Sequence, residues 1–576
     1  MENMGAECDK DGCGTPALSS KPQSSTPPSV LLRGDEEAQP HQIDVEVLGR
    51  QRPAVFKTIW AELGFCFSLV GSMLMAEFFV SGFHIILPPL SQALSIPPES
   101  QTWPSSVFSL VTGSCLLPLG RLGDMYGGYV TFNAGLIWFG IWALAAGFSQ
   151  NYIMLVCFRA LQGLGCAAFL PAGIMLLGKT YRPGPRKNLI FGIYGAFAPI
   201  GFFFGILIGG ASGQFLSWRW YFWIGAMVIA IITATSLLTI PRDYRGANTA
   251  GARMDWPGTL TIVPGLVLVV YALTDSSSAP NGWKSPYIIA TLILGVLFLC
   301  AAVYLQGWVC SNPLLPADLF RPKYMKRMVF SLFLVYGAFG VWLFYSSFYI
   351  ELVMKQAPLT TAVWYVPQVV GGLLIGSVGG ATLHHFSGRV LFIISGVGHV
   401  LCSLLFAIMP AGSTYWPYVF PAMICSTIGI DVTYTVSNVF ITTQLPAHHQ
   451  GLAGAVINSV LFLGISFWLG IADIAVGKTA SRGLMESYRV AFWLAVALPV
   501  VASIFFVFMK IGYAKSDFTH EEREQMEARE RGDGASGGEL ADEDAVETSE
   551  VQRQVMRASR ASRRSSQIDR QITIHP

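Results

Sequence analysis

Long apolar stretches separated by short polar segments dominate the chain from about residue 60 to residue 512. A helix that crosses a bilayer needs about 20 mostly apolar residues. Stretches of this kind recur at 64–88, 103–120, 130–148, 152–177, 189–210 and 220–240, then at 258–274 and 286–306. A second set follows at 328–350, 361–382, 390–410, 417–441, 452–475 and 490–511. The order is therefore six, two and six. The stretch at 258–274 is short and holds Pro264, so a twelve-span arrangement stands as the alternative. Either count puts both termini on one side of the membrane. The pattern predicts an all-α polytopic membrane protein of two six-helix halves plus two additional transmembrane helices. Its expected divisions are a disordered cytosolic tail over 1–58, an N-terminal half over 59–240, a linker region with the two additional spans over 241–326, a C-terminal half over 327–512 and a charged cytosolic tail over 513–576.

Composition agrees with this pattern. Hydrophobic residues make up 52% and charged residues only 12%, about half the charged share of a soluble domain. Gly 59 and Phe 38 suit helices that approach closely inside a lipid-facing bundle. The net charge of +2 offers no basic surface for nucleic acid. The ten cysteines are scattered without the spacing of a metal or redox site. The first 55 or so residues are rich in Ser, Pro and acidic groups and lack the apolar core of a signal peptide.

Lysines and arginines in the short loops set the orientation. Arg121, Lys179, Arg182, Arg186, Lys187, Arg242, Arg245, Arg253, Arg321, Lys323, Lys326, Arg327 and Arg389 fall on the side of the tails. The other side holds Arg219, Lys284, Lys355, Lys478, Arg482 and Arg489, so the tails are expected in the cytosol. An internal repeat supports two related halves. Gly120-Arg-Leu-Gly-Asp124-Met-Tyr126-Gly-Gly128-Tyr-Val130 follows the second span, and Gly380-Ala-Thr-Leu-His384-His-Phe386-Ser-Gly388-Arg-Val390 follows the tenth. The C-terminal tail ends in a basic run with Ser559, Ser562, Ser565 and Ser566, where phosphorylation would change local charge sharply.

Ionisable groups within apolar spans mark functional candidates, because a charge in hydrocarbon needs a partner, water or a proton. Glu77, Arg159, Asp431 and Asp473 are such groups, although Asp473 lies close enough to the membrane face to be expected in solvent. His84, His384, His385 and His399 are expected to pack or to sit at interfaces. On a helix, Tyr434, Thr435 and Asn438 share a face with Asp431. Phe78, Phe79, Phe203, Gln162, Trp342, Tyr345, Tyr434 and Asn438 are the expected substrate-lining residues.

Several motifs resemble those of the major facilitator superfamily. Gly120, Arg121, Asp124 and Gly128 resemble its hallmark loop, which implies a gating latch, though Tyr129-Val130 stands where the family carries a basic cluster. Arg159-Ala-Leu-Gln162-Gly163 resembles the Arg-x-x-Gln-Gly signature of proton-coupled members, implying a part in proton transfer for Arg159. Gly195, Pro199, Gly205, Gly209 and Gly210 resemble the antiporter motif of drug exporters, with the proline displaced from its usual place. Glu77, Gly429-Ile-Asp431, Gln450-Gly451-Leu-Ala-Gly454, Asn458, Asp255-Trp256-Pro257-Gly258 and Gly282-Trp283 resemble the fourteen-span drug:proton antiporter type, in its fungal aminotriazole-resistance branch. The resemblance spans roughly residues 60 to 512. It implies a proton-coupled exporter of small organic compounds in the cell membrane, acting as a monomer, driven by the proton gradient and needing no cofactor. Uptake of a nutrient or small cation is the alternative, and a membrane enzyme a more distant one. His384-His385 and His448-His449 have no acidic partner nearby in sequence to support enzyme chemistry.

Overall fold

The structure, a computed structural model, describes residues 52–181, 185–241, 253–310, 312–382, 386–444, 447–509 and 511. The N-terminal tail up to residue 51, the four tail serines, His384 and His385 lie outside these residues. Fourteen helices among the described residues are long and apolar enough to cross a membrane, and none of the described residues forms a strand.

In chain order these are α1 (Ile59–Ala93), α2 (Trp103–Tyr126), α3 (Gly128–Ala146), α4 (Tyr152–Thr180), α5 (Pro185–Phe215), α6 (Trp218–Thr239), α7 (Trp256–Asp275) and α8 (Pro286–Tyr304). The second half comprises α9 (Met325–Phe348), α10 (Pro358–Trp364 and Val366–Thr382, broken at Tyr365), α11 (Gly388–Ala407), α12 (Phe420–Gln444), α13 (Ala447–Thr479) and α14 (Leu484–Phe508). The short span at 258–274 is a full helix with Pro264 inside it, so the fourteen-span reading holds.

Helix ends follow local chemistry. The Thr58, Asn151 and Asp255 side chains accept from Ala61, Met154 and Gly258 N–H groups, satisfying donors that the first turn leaves free. Proline stands in the first turn of α2, α7, α8 and α10. Gly127 (φ 92) and Gly483 (φ 94) turn the chain between α2 and α3 and between α13 and α14, in a region where a side chain would be strained.

Helices α1–α6 pack together, with α1 on α5 and α6, α2 on α4, and α3 on α4 and α6. Helices α9–α14 form the second group, with α9 on α13 and α14, α11 on α12 and α14, and α10 on α12. The two groups meet where α5 packs on α10, α2 on α13 and α1 on α9. Helices α7 and α8 pair with each other, and α7 also touches α2 and α13, one helix from each group. α8 turns Ile293, Leu297 and Val303 outward, as a lipid-facing helix does. Below, the end where α1 begins and α14 finishes is the tail end; the opposite is the far end.

Candidate functional site

At mid-bundle, α5 runs against α1 on one face and against α10 on another. A Cβ built at Gly201 would fall 2.3 Å from Leu74 O, and one at Gly205 would fall 2.5 Å from Phe78 O. Gly209 meets Gly82 O in the same way, so these glycines let the α1 and α5 backbones touch. Ser81 Oγ reinforces the contact by donating to Phe202 O at 2.8 Å. Pro199 and Gly210 belong to the other face. Pro199 lies against Gly372 of α10, and Gly210 against Pro358 and Ala362 at the far end. The antiporter-like residues thus serve two packing faces of α5, one on α1 and one on α10.

Toward the tail end the helices separate. Among the described residues, nothing lies within 4 Å of a Cβ built at Gly192 or Gly195 of α5, Gly376 of α10 or Gly454 of α13. Gly195 precedes Pro199 by one helical turn, and Gly376 follows Gly372 by one, so the two facing stripes touch at Pro199 and Gly372 and then part. The far end, in contrast, is closed. Ser106 of α2 and Ser466 of α13 share a hydroxyl hydrogen bond at 2.7 Å. His84 of α1 meets Phe344 of α9 edge-on at 5.7 Å, and Leu359 N donates to Gln214 Oε1 at 3.2 Å. Among the described residues the helices therefore part into a cleft toward the tail end and stay in contact across the two halves at the far end.

A polar cluster sits at the apex of this cleft. Asp431 Oδ2 points at Gly372 beside Pro199, at 3.0 Å from a Cβ built there. Glu77 of α1 lies near enough to Asp431 for the two carboxyl groups to interact. Tyr434 of α12 and Tyr194 of α5 approach Glu77 and each other, and Cys166 of α4 lies near Glu77. Asn438 Nδ2 donates to Tyr434 O at 2.8 Å, and the Asn438 and Asn458 side chains face the Tyr434 hydroxyl. Asp431, Tyr434, Thr435 and Asn438 are all partly exposed, while Thr433, Val436 and Ser437 between them are buried. The stripe expected on α12 therefore faces open space. Sequence reading missed Tyr194 and Cys166, which stand in Gly-rich and apolar runs and carry no charge.

Arg159 lies beside this cluster, fully enclosed. Its guanidinium donates to Gln162 Oε1 at 3.0 Å, Phe79 O at 3.2 Å and Pro104 O at 3.4 Å. The Phe83 and Phe108 rings flank it at 4.1 Å and 4.5 Å. Its partners are thus dipoles and ring faces, a setting that holds a cation through directed donors and π-clouds. The Arg-x-x-Gln spacing puts both side chains on one face of α4, which is why they meet.

Five expected lining residues, Gln162, Phe78, Phe79, Trp342 and Tyr345, are instead packed inside the bundle. Gln162 is fully buried and holds Arg159. Phe78 stacks on Tyr221 with centroids 4.9 Å apart. Trp342 lies among Phe339, Tyr365 and Phe406, and Tyr345 against Phe344 and Tyr488. Each sits on an apolar helix, where aromatic character alone does not say which face turns inward. Phe79 is likewise buried, whereas Phe203 is partly exposed. A further correction concerns Asp473, expected in solvent but 5% exposed and bonded to Ser277.

At the tail end, Arg121 Nε donates to Arg253 O just before α7 at 3.2 Å, and Asp124 lies near Arg121 and Lys179 of α4. A Cβ at Gly128 would meet Met175 at 2.8 Å and one at Gly120 would meet Pro171 at 3.4 Å, so both glycines fit α2 and α3 closely to α4. Arg186 pairs with the buried Glu62 at 2.6 Å, and Tyr181 OH donates to the same carboxylate at 3.0 Å, tying α1 to the start of α5. The described residues hold no group of side chains suited to a metal ion. Asp255 caps α7 and also accepts from Gln306 and the Leu314 N–H, closing the additional helix pair at the tail end.

Two six-helix groups with a cleft between them toward the tail end, and a polar cluster at its apex, define a polytopic membrane transporter. The chain belongs to the Major Facilitator Superfamily, whose sequence profile matches residues 69–469. It is 31% identical to the low affinity ammonium transporter of Saccharomyces cerevisiae, over 72% of this chain and 81% of that one. It is 29% identical to efflux pump terJ of Aspergillus terreus, over 82% and 92% of the two chains. It is 30% identical to the aminotriazole resistance protein of S. cerevisiae, over 78% and 84%. Among solved structures, an auto-inhibited POT family peptide transporter aligns with a TM-score of 0.56 at 15% identity, covering 80% of this chain and 99% of that one. That likeness speaks for the fold alone.

Proposed function

We propose that this transporter is a proton-coupled exporter of small organic compounds, including toxic compounds or secondary metabolites, working by alternating access. The observation that carries the proposal is the pairing of Glu77 with Asp431 at the cleft apex. One carboxyl group comes from each half, beside the contact at which α5 and α10 part. Two carboxyl groups that feel each other's charge within the bundle disfavour double ionisation, so the pair is suited to holding and releasing a proton. A substrate entering from the tail end takes the place of the proton held by the pair, which leaves to that side. Proton uptake from the other side, once access switches, then favours substrate release.

Loop lysines and arginines favour a cytosolic tail end, which makes the observed cleft inward-facing and ready to load from the cell interior. The relatives named as an efflux pump and a resistance protein support export. The cell membrane is the proposed location, a single chain the working unit, and the proton gradient the only energy source. The partly exposed Phe203, Tyr434 and Asn438 offer mixed apolar and polar walls with few fixed charges, which suits varied substrates. The relative named as an ammonium transporter favours a second reading, movement of a small cation paired with the same carboxylates.

The experiment is transport by the purified protein in vesicles with an imposed pH gradient, run over a panel of toxic, endogenous and cationic compounds. Concentrative movement of an organic compound that a protonophore abolishes supports the proposal. Concentration that survives the protonophore excludes proton drive, and selective movement of ammonium supports the second reading.

A further inference from the structure

The additional helix pair meets both halves at the far end, and its loop carries a cluster of hydroxyl groups. Ser277 Oγ, just past α7, donates toward Asp473 Oδ2 of α13 at 2.6 Å. The same oxygen lies 3.0 Å from Thr274 O and 3.3 Å from Glu99 O, which precedes α2. Ser278 Oγ donates to Glu99 O at 3.0 Å, and Ser100 Oγ donates to Ser278 Oγ at 3.0 Å. Thr102 Oγ1 is buried and lies beside the Asp473 carboxyl group. A Cβ at Gly470 would fall 2.8 Å from Thr274 Oγ1, so α13 and α7 are in direct contact here. The N-terminal half, the C-terminal half and the additional pair thus meet at Asp473.

A hydroxyl carries one proton, yet three acceptors surround Ser277 Oγ. With Asp473 ionised, the Ser277 proton must go to the carboxylate, and the nearby carbonyls receive nothing from it. The buried charge then rests on the Ser277 and Thr102 hydroxyls alone, and no ion pair to Asp473 is found among the described residues. The titratable groups facing Asp473 are Glu99 before α2, Tyr152 of α4, Tyr345 of α9 and Tyr488 of α14, with Asp275 next to Tyr152. None of them brings positive charge, and Glu99 opposes a second negative one. With Asp473 protonated, its O–H donates to Ser277 Oγ, the Ser277 proton passes to Thr274 O, and no buried charge remains.

We propose that Asp473 is a proton-binding site that latches the far gate closed through the additional helix pair. Protonated Asp473 holds α13 to Ser277 and, through Ser278 and Glu99, to the start of α2. The Ser106–Ser466 closure then stays shut. Loss of the proton leaves a buried carboxylate that is relieved only by water, and α13 moves away to admit it. This inference rests on the reading that the far end faces outside and opens during the cycle.

The test is hydrogen–deuterium exchange of the full-length, substrate-free protein in lipid nanodiscs, followed on peptides covering 98–110 and 460–482 from acid to alkaline pH. Rates are corrected for intrinsic exchange. In wild type, exchange there should rise several-fold as pH increases. Asp473→Asn, whose amide donates to Ser277 as the protonated acid does, should stay protected at every pH. Asp473→Ala should exchange fast throughout, and Ser277→Ala should shift the transition toward lower pH. Exchange in wild type that does not vary with pH, or Asp473→Asn that titrates like wild type, overturns the latch. Because no substrate is present, this outcome is separate from the export reading: pH-dependent exchange with protonophore-insensitive transport would overturn export coupling and leave the latch standing.

Discussion

Pro199 of α5 and Gly372 of α10 touch at the middle of the bundle, with a Cβ built on Gly372 falling 3.2 Å from Pro199 Cβ and 3.0 Å from Asp431 Oδ2. On the far side of this contact the two helices stay together. On the tail side they diverge, so the contact is the point about which the cleft opens.

It follows that Gly372→Val should lower the initial transport rate in vesicles about tenfold, because its side chain must displace either the proline or the Asp431 carboxyl group. Gly376→Ala, one turn away in open space, should transport like wild type. Equal rates for the two variants would show that the contact is not a pivot.

Packing between α1 and α5 makes a separate prediction about stability. Gly205→Ala puts a methyl group 2.4 Å from Ser81 Oγ and 2.5 Å from Phe78 O, and backbone cannot yield as a flexible side chain can. The expected loss is about 1–3 kcal/mol, read as a lower Tm in detergent. Gly195→Ala meets nothing within 4 Å and should leave Tm unchanged or slightly raised, since alanine favours helix.

Arg159 should not tolerate lysine. An ammonium group cannot reproduce the fork that serves Gln162, Phe79 O and Pro104 O together, nor the flat stacking between Phe83 and Phe108. Arg159→Lys should insert normally, lose on the order of 2 kcal/mol of stability, and transport far more slowly. Wild-type turnover in this variant would remove Arg159 from the coupling machinery.

Much of the architecture was legible in the sequence because span length and hydropathy are set by the bilayer. All fourteen helices appear where apolar runs predicted them, including the proline-bearing α7. The α12 stripe was also legible, since it follows from helical spacing within one element. Contacts between elements were not. Phe78, Trp342 and Tyr345 sit on helices apolar on every side, so nothing in the pattern separates cleft from core. Asp473 looked solvated from its place near a helix end, but the loop after α7 folds over it. Tyr194 was missed because a neutral hydroxyl in a Gly-rich helix gives no signal until α12 brings Tyr434 beside it.

The central claim is that Glu77 and Asp431 together carry the coupled proton. It is tested most directly by recording the internal pH of vesicles while a compound found transportable in the panel moves down its own gradient, for wild type, Glu77→Gln and Asp431→Asn. The wild type should move protons opposite to the compound. Both variants should still exchange labelled for unlabelled compound while moving protons at least about tenfold more slowly, because a neutral amide cannot titrate. Proton movement at the wild-type rate in both variants would contradict the account.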